Sequence, residues 1–291
     1  MKLAGKYALV TGGSQGLGKA IAQAFLNEGA SVMICGRNKN DLSLAQEELG
    51  TGLQEPQTLA TQPADVGKEE DANRLIDSVL NHFPRLDILV NNAGIYGPKG
   101  RLEENNWREW VQTLQINFLG AVFLCKKILP HFKKSRYGKI VNLSGGGATN
   151  PLPRLSAYAA SKVALVRFTE TLAQEVQDDG IDVNAIAPGA LDTRLLDEIL
   201  EAGPGKVGGD FFKKCQKLKE DGGVPLEQGA ELAVFLASDA SDGITGKLIS
   251  AVWDPWRDFP QHLEELKSSD IYTLRRIVPK ERGMDWGNVE P

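Results

Sequence analysis

The chain has 291 residues, 42% of them hydrophobic and 24% charged, a balance that fits a globular protein of one large domain or two small ones. Its net charge of −5 gives no electrostatic basis for a nucleic-acid partner. Cys35, Cys125 and Cys215 lie far apart with no Cys-x-x-Cys pair, and His82, His131 and His262 are equally scattered, so neither a disulfide framework nor a metal site is expected.

At the N-terminus, MKLAGKYALVTGG has an apolar run of only four residues and is broken by Lys2 and Lys6, unlike a signal peptide. No apolar run in the chain approaches the length of a bilayer span, so a cytoplasmic location without a membrane partner is expected. YALVTGG reads as a buried strand, and LGKAIAQAFLNEG as a helix with apolar positions at Ile21, Ala24 and Phe25 and a stop at Gly29. Between them, TGGSQGLG sets Gly12, Gly16 and Gly18 in G-x-x-x-G-x-G spacing. Glycine lets backbone approach a pyrophosphate, and the following helix offers free N–H groups and the positive end of its dipole. The loop residues Gly12, Ser14, Gln15, Gly16, Leu17 and Gly18 are therefore candidates to hold a dinucleotide.

The second strand, ASVMICGR, ends in Gly36 and Arg37, where an NAD-selective site carries an acidic residue for the ribose 2′-hydroxyl. A guanidinium suits a 2′-phosphate instead, so NADP(H) is the preferred cofactor and NAD(H) the alternative. Against this, Arg37 could be a solvated loop charge or stack on adenine, and Gln15 withholds a second basic contact.

DLSLAQEELG reads as a helix, QTLATQPADV as a strand, KEEDANRLIDSVLNHF as a helix and LDILVNNAG as a fourth strand. WREWVQTLQINFLGAVFLCKKILPHFKKS reads as one long helix. GKIVNLSGG, SAYAASKVALVRFTETLAQEV and IDVNAIAPG follow as strand, helix and strand, and LEQGAELAVFLASD and GKLISAVW as a last helix and a seventh strand. Residues 194–224, rich in glycine and lysine, read as a mobile segment. Continuously apolar strands alternating with helices imply an α/β fold, a Rossmann-type doubly wound parallel sheet of about seven strands. Residues 1–253 would form one catalytic domain and residues 254–291 a C-terminal extension. The polar and glycine-rich motifs all fall at strand C-termini, where such folds bind ligands.

Tyr158 and Lys162 are four residues apart, on one face of a helix. A free tyrosine, with a pKa of about 10, is a poor acid–base at neutral pH, and a neighbouring ammonium would lower that value. The pair could then deprotonate an alcohol, or protonate a carbonyl oxygen as hydride arrives.

With these motifs in order, the sequence resembles the short-chain dehydrogenase/reductase family. The matching elements are Thr11-Gly12-x-x-x-Gly16-x-Gly18, Asp65-Val66, Asn91-Asn92-Ala93-Gly94, Asn117, Tyr158-x-x-Ser161-Lys162 and Pro188-Gly189-x-x-x-Thr193, spanning residues 5 to about 250. The resemblance implies an NAD(P)-dependent oxidoreductase that interconverts a secondary alcohol and a ketone, with Tyr158 as general acid–base and Lys162 on the nicotinamide ribose. Asp65 and Val66 would bind adenine, and Asn92, Ala93 and Gly94 would line the adenosine side. Asn117 would kink its helix and hold a water that relays protons from Lys162. Leu191 and Thr193 would contact the carboxamide, within a cofactor segment that begins at Pro188 and Gly189. Asn91 and Thr11 read as scaffold. A small-molecule substrate and a homodimer or homotetramer are further implications.

The sequence departs from the family in two places. The family serine usually lies thirteen residues before the tyrosine, where this chain has Gly145, and Ser144 is one residue early. A bulge could swing Ser144 to Tyr158, or a backbone N–H, a water or Thr149 could replace it. The second departure is the extension, which carries Trp256, Trp286, Arg275 and Arg276. It could pack on the surface, form an oligomer interface, or cover a substrate pocket with its arginines toward an anionic or polyhydroxylated substrate. Two other functions stay open: a dinucleotide-binding sensor with little turnover, and an oxidoreductase of saccharides.

Overall fold

The computed structural model describes residues 1–287; residues 288–291, the end of the extension, lie outside the described residues. Seven parallel strands form one sheet in the order β3-β2-β1-β4-β5-β6-β7. They are β1 (Tyr7–Thr11), β2 (Ser31–Gly36), β3 (Leu59–Pro63), β4 (Ile88–Asn91), β5 (Gly138–Leu143), β6 (Ile181–Ala187) and β7 (Leu248–Ser250). Strand alternation divides the core in two: Ala8, Val10, Val32 and Ile34 face one helical layer, and Leu9, Met33 and Cys35 face the other. The first layer contains α1 (Gly16–Asn27), α2 (Lys39–Gly50) and α9 (Leu226–Ala237); the second contains α3 (Glu69–His82), α5 (Gly120–Ser135) and part of α6 (Ser156–Glu175). Local chemistry starts these helices where they are needed. Asn38 accepts from the N–H groups of Asn40 and Asp41 to cap α2, and Glu69, Glu70 and Asp71 occupy the first turn of α3. The strand order reverses between β1 and β4, which opens a crevice above their C-terminal ends.

Two segments differ from the sequence reading. The expected long helix is α4 (Trp107–Leu114) and α5 separated by a π-helical turn, Gln115–Leu119. Residues 194–224 are largely helical: α7 (Arg194–Val207), kinked where Gly203 takes φ +74 ahead of Pro204, and α8 (Gly209–Asp221). Their apolar residues pack with Leu155 in a small core of their own, and the glycines that suggested mobility sit at the kink and at the helix junction.

The extension packs back on the domain. Trp256 and Phe259 are buried, with the Trp256 and Phe235 rings 5.3 Å apart, and Leu266 of α10 (Leu263–Ser268) joins the same core. The chain then runs along β7. Leu248 N–H donates to Tyr272 O at 2.8 Å, and the Lys247 amine donates to Ser269 O and Ile271 O. Leu274 N–H donates to Glu170 Oε1 at 2.6 Å. An exposed sheet edge is thereby covered.

Candidate active site

The turn after β1 has the geometry of a phosphate cradle. Gly12 and Gly16 take φ of +64 and +52, a region that side chains rarely adopt. A Cβ on Gly18 would stand 2.2 Å from Gly12 O and 2.3 Å from Asn92 Nδ2, so only glycine lets α1 begin this close to the strand ends. Gln15 provides no side-chain cap and the first turn carries no acid, which leaves the leading N–H groups of α1 for an anion. Thr11 Oγ1 accepts from Asn92 N–H and Ala93 N–H and donates to Val90 O, while Asn92 Nδ2 donates to Thr11 O and Gly12 O. Gly18→Val is expected to lower dinucleotide affinity at least tenfold and destabilise the fold by about 1–3 kcal/mol through overpacking. Fluorescence titration and urea denaturation check the two effects.

At the adenosine side, Arg37 is exposed and has no side-chain partner among the described residues. Ser14 Oγ stands 3.3 Å from where a Gly36 Cβ would be, beside it. Asp65 Oδ1 accepts from Gly67 N–H, whereas its other carboxylate oxygen and the Val66 N–H have no partner among the described residues. A glycine cradle, uncapped helical donors and these spare groups fit a dinucleotide.

The π turn presents Asn117 to the loop after β4. Its Nδ2 donates to Ile95 O at 2.8 Å and Ser161 Oγ at 3.0 Å, and its Oδ1 accepts from Ile95 N–H at 2.8 Å. Gly94 lies against this amide and Lys162; a Cβ there would be 3.4 Å from Asn117 Oδ1 and 3.6 Å from Lys162 Nζ. Lys162 Nζ donates to Leu143 O at 2.7 Å and lies 5.6 Å from the Tyr158 ring centroid. Asn91 Nδ2 donates to Asn142 Oδ1 at 2.8 Å, tying β4 to β5.

Burial shifts both members of the pair toward their neutral forms. It pushes the Tyr158 phenol well above its ordinary value, with a smaller contribution from Tyr96, and it pulls Lys162 down to about 8. The expected lowering of the tyrosine by a charged lysine is not the dominant effect here, because desolvation disfavours the phenolate and the ammonium alike.

Ser144 and Gly145 have distinct placements. Ser144 N–H donates to Ile186 O at 2.8 Å, so sheet pairing runs past Leu143, and Gly145 is fully extended. Alternation then turns position 145, not 144, toward the tyrosine: a Cβ on Gly145 would lie 2.6 Å from the Tyr158 hydroxyl. The Ser144 hydroxyl is buried and has no hydrogen-bond partner among the described residues, so the structure does not join it to Tyr158. Thr149 is exposed and accepts from Asn150.

After β6, Pro188 is buried, Gly189 takes φ +91, and Leu191 bridges to Gly223. Thr193 starts α7 with its Cγ2 3.5 Å from a Cβ placed on Gly16, beside the glycine loop that also holds Leu17. Helices α7 and α8 form a roof over the tyrosine. Tyr96, Leu152 and Tyr158 pack with Leu196, Ile199 and Cys215, and Arg154 Nη1 donates to Gly205 O at 2.8 Å. The sequence reading missed Tyr96 and this roof. The spacing of Leu196, Ile199 and Leu200, and of Phe211, Phe212 and Cys215, was the available signal, interrupted by Gly203-Pro204-Gly205.

The extension lies elsewhere. Leu274, Arg275 and Arg276 line a cleft with Val163, Ala164 and Arg167. Arg167 is nine residues from Tyr158, or half a turn away around α6. Arg275 pairs with Asp270 and Glu281. Arg275 and Arg276 therefore lie on the other side of α6 from the chain's own Tyr158.

No group of three or more His, Cys, Asp or Glu among the described residues is placed to hold a metal, and no described helix is long and apolar enough to cross a membrane.

Comparison with known proteins agrees with this geometry. A family model described as short chain dehydrogenase matches residues 6–203. L-fucose dehydrogenase of Oryctolagus cuniculus is 36% identical over 241 residues, covering 82% of this chain and 81% of that protein. Glucose 1-dehydrogenase 2 of Bacillus subtilis (strain 168) is 34% identical, covering 84% and 92%. The crystal structure of NAD+-bound xylitol dehydrogenase superposes with a TM-score of 0.77 at 27% identity, covering 86% and 98%. The match in motifs, sheet order and sequence along most of the chain makes this protein a member of the short-chain dehydrogenase family, an NAD(P)-dependent oxidoreductase of alcohols and ketones.

Proposed function

We propose that the chain prefers NADP(H) and that Tyr158 carries its proton transfer. The observation behind the second point is a phenol with no hydrogen-bond partner among the described residues at the C-terminal end of the sheet, with Lys162 one helical turn away and the glycine cradle across the crevice. The phosphates would rest on the α1 N-terminus through Gly12, Ser14, Gln15, Gly16, Leu17 and Gly18. Adenine would meet Asp65 and Val66, with Asn92, Ala93 and Gly94 alongside, and Pro188, Gly189, Leu191 and Thr193 would hold the nicotinamide end. Bound NADP(H) supplies or takes up the hydride.

Tyr158 gives its proton to the carbonyl oxygen during reduction and takes it back during alcohol oxidation. Its raised pKa keeps the phenol protonated for the first task. Lys162 binds the nicotinamide ribose, and Asn117 positions the loop after β4 and relays protons by way of a water. Ser144 is a buried strand residue rather than the third catalytic group. NADPH oxidation measured against a panel of ketones tests the activity, and binding of NADPH without turnover of any of them would refute it.

Arg37 supports the cofactor preference, because an exposed guanidinium after β2 suits a 2′-phosphate. Arg37→Asp should lower kcat/KM with NADPH by tenfold or more and favour NADH. An unchanged ratio between the two cofactors would point to NAD(H).

Saccharides are the second substrate reading, because similar proteins include L-fucose, glucose and xylitol dehydrogenases. We propose one catalytic domain over residues 1–253, a homodimer or homotetramer, and a cytoplasmic enzyme. The extension acts as a packed cover for the β7 edge. Light scattering in solution tests the assembly.

A further inference from the structure

The Tyr158 hydroxyl has an unusual companion. The Tyr96 ring lies 4.6 Å from the Tyr158 ring between centroids, tilted by 58°. Neither hydroxyl makes a hydrogen bond among the described residues, neither is among the enclosed, unpartnered polar atoms, and both rings pack against the roof. Around the two rings the partly exposed Leu152, Leu200 and Phe212 are apolar, backed by the buried Leu155, Leu196 and Ile199. Position 145, which faces Tyr158, contributes no side chain.

A phenol left without a partner in apolar surroundings is unfavourable unless a ligand satisfies it. A few convergent polar groups in an apolar pocket are what orient a bound small molecule. A small molecule with oxygens on adjacent carbons could offer one to each phenol of a ring pair this close. Burial, and to a smaller extent Cys215 of α8 and Glu198 of α7, raises the Tyr96 phenol, and Tyr96 packs with Cys215 in the roof core.

We infer that Tyr96 is a specificity-determining residue: its hydroxyl hydrogen-bonds a substrate oxygen on the carbon next to the reacting one, so the enzyme favours α-hydroxy ketones and vicinal diols with an apolar remainder. This inference rests on the reading of Tyr158 as the proton donor.

The test uses NADPH with 2-hydroxycyclohexanone and cyclohexanone, on the wild-type protein, Tyr96→Phe and Tyr158→Phe. Wild type should show kcat/KM at least tenfold higher for the hydroxy ketone. Tyr96→Phe should lose that preference while cyclohexanone turnover and NADPH affinity stay within about threefold, as for one neutral hydrogen bond removed. Three results would each overturn the inference. One is a wild type with no difference between the two ketones, including turnover of neither. Another is an equal loss on both ketones in Tyr96→Phe. The third is loss of NADPH binding in that variant, which would assign it a packing role. Full activity in Tyr158→Phe would instead refute the proton-donor reading, and the same two ketones distinguish that failure from the others.

Discussion

Tyr158→Phe should lower kcat by about 100- to 10,000-fold, the range expected when a positioned acid–base is removed, while NADPH binds with unchanged affinity. The substitution removes one oxygen that makes no hydrogen bond among the described residues, and it leaves the ring in place against Tyr96. Folding should therefore be preserved, and the loss should appear in turnover rather than in stability. Stopped-flow reduction of a ketone and cofactor titration by fluorescence separate the two. A variant with near wild-type turnover would move the proton transfer to another group. Ser144 would be a poor replacement, because its hydroxyl is buried and unpaired while position 145 turns to the phenol.

Lys162 should make the protein's stability depend on pH in the alkaline range. Its amine is held at about 8 in the fold by burial, against an ordinary value of 10.5. Between those values the unfolded chain binds more protons than the folded one, so stability rises with pH. The rise begins near 8, is complete near 10.5, and totals about 3 kcal/mol for a shift of this size. Lys162→Met lacks this titration. The difference in unfolding free energy between the wild type and this variant should be flat below pH 8 and should grow in favour of the wild type up to about pH 10.5. Urea denaturation across that range measures it, and parallel profiles would show that the buried amine is not neutralised by folding. The variant should also lose turnover, because the ribose and proton-relay contacts proposed for Lys162 depend on the same nitrogen.

The layers of the fold were legible because continuous apolar strands and 3.6-residue helical periods survive in any context. The glycine loop after β1 was equally legible: Gly12 and Gly16 take positive φ and Gly18 has no room for a Cβ. Thr11 and Asn91 were read as scaffold, and their hydrogen bonds to the Asn92 turn and to Asn142 show the contacts that make them so. The roof was not legible. Gly203, Gly205, Gly208 and Gly209 resemble a flexible linker in one dimension, yet Leu196, Ile199, Val207 and Cys215 bury one another there.

The sequence by itself determined the doubly wound sheet, the glycine loop after β1 and the Tyr158–Lys162 pair. Each depends on local spacing, through a strand or helix period or a positive φ. Only the tertiary structure decided which residues share a pocket with Tyr158. Strand pairing past Leu143 turned Gly145, not Ser144, to the phenol. Packing of the loop after β4 set Tyr96 on its ring, and the edge of β7 drew the extension to the far side of α6. Those outcomes depend on which surfaces bury each other across the fold, and spacing along the chain does not encode that.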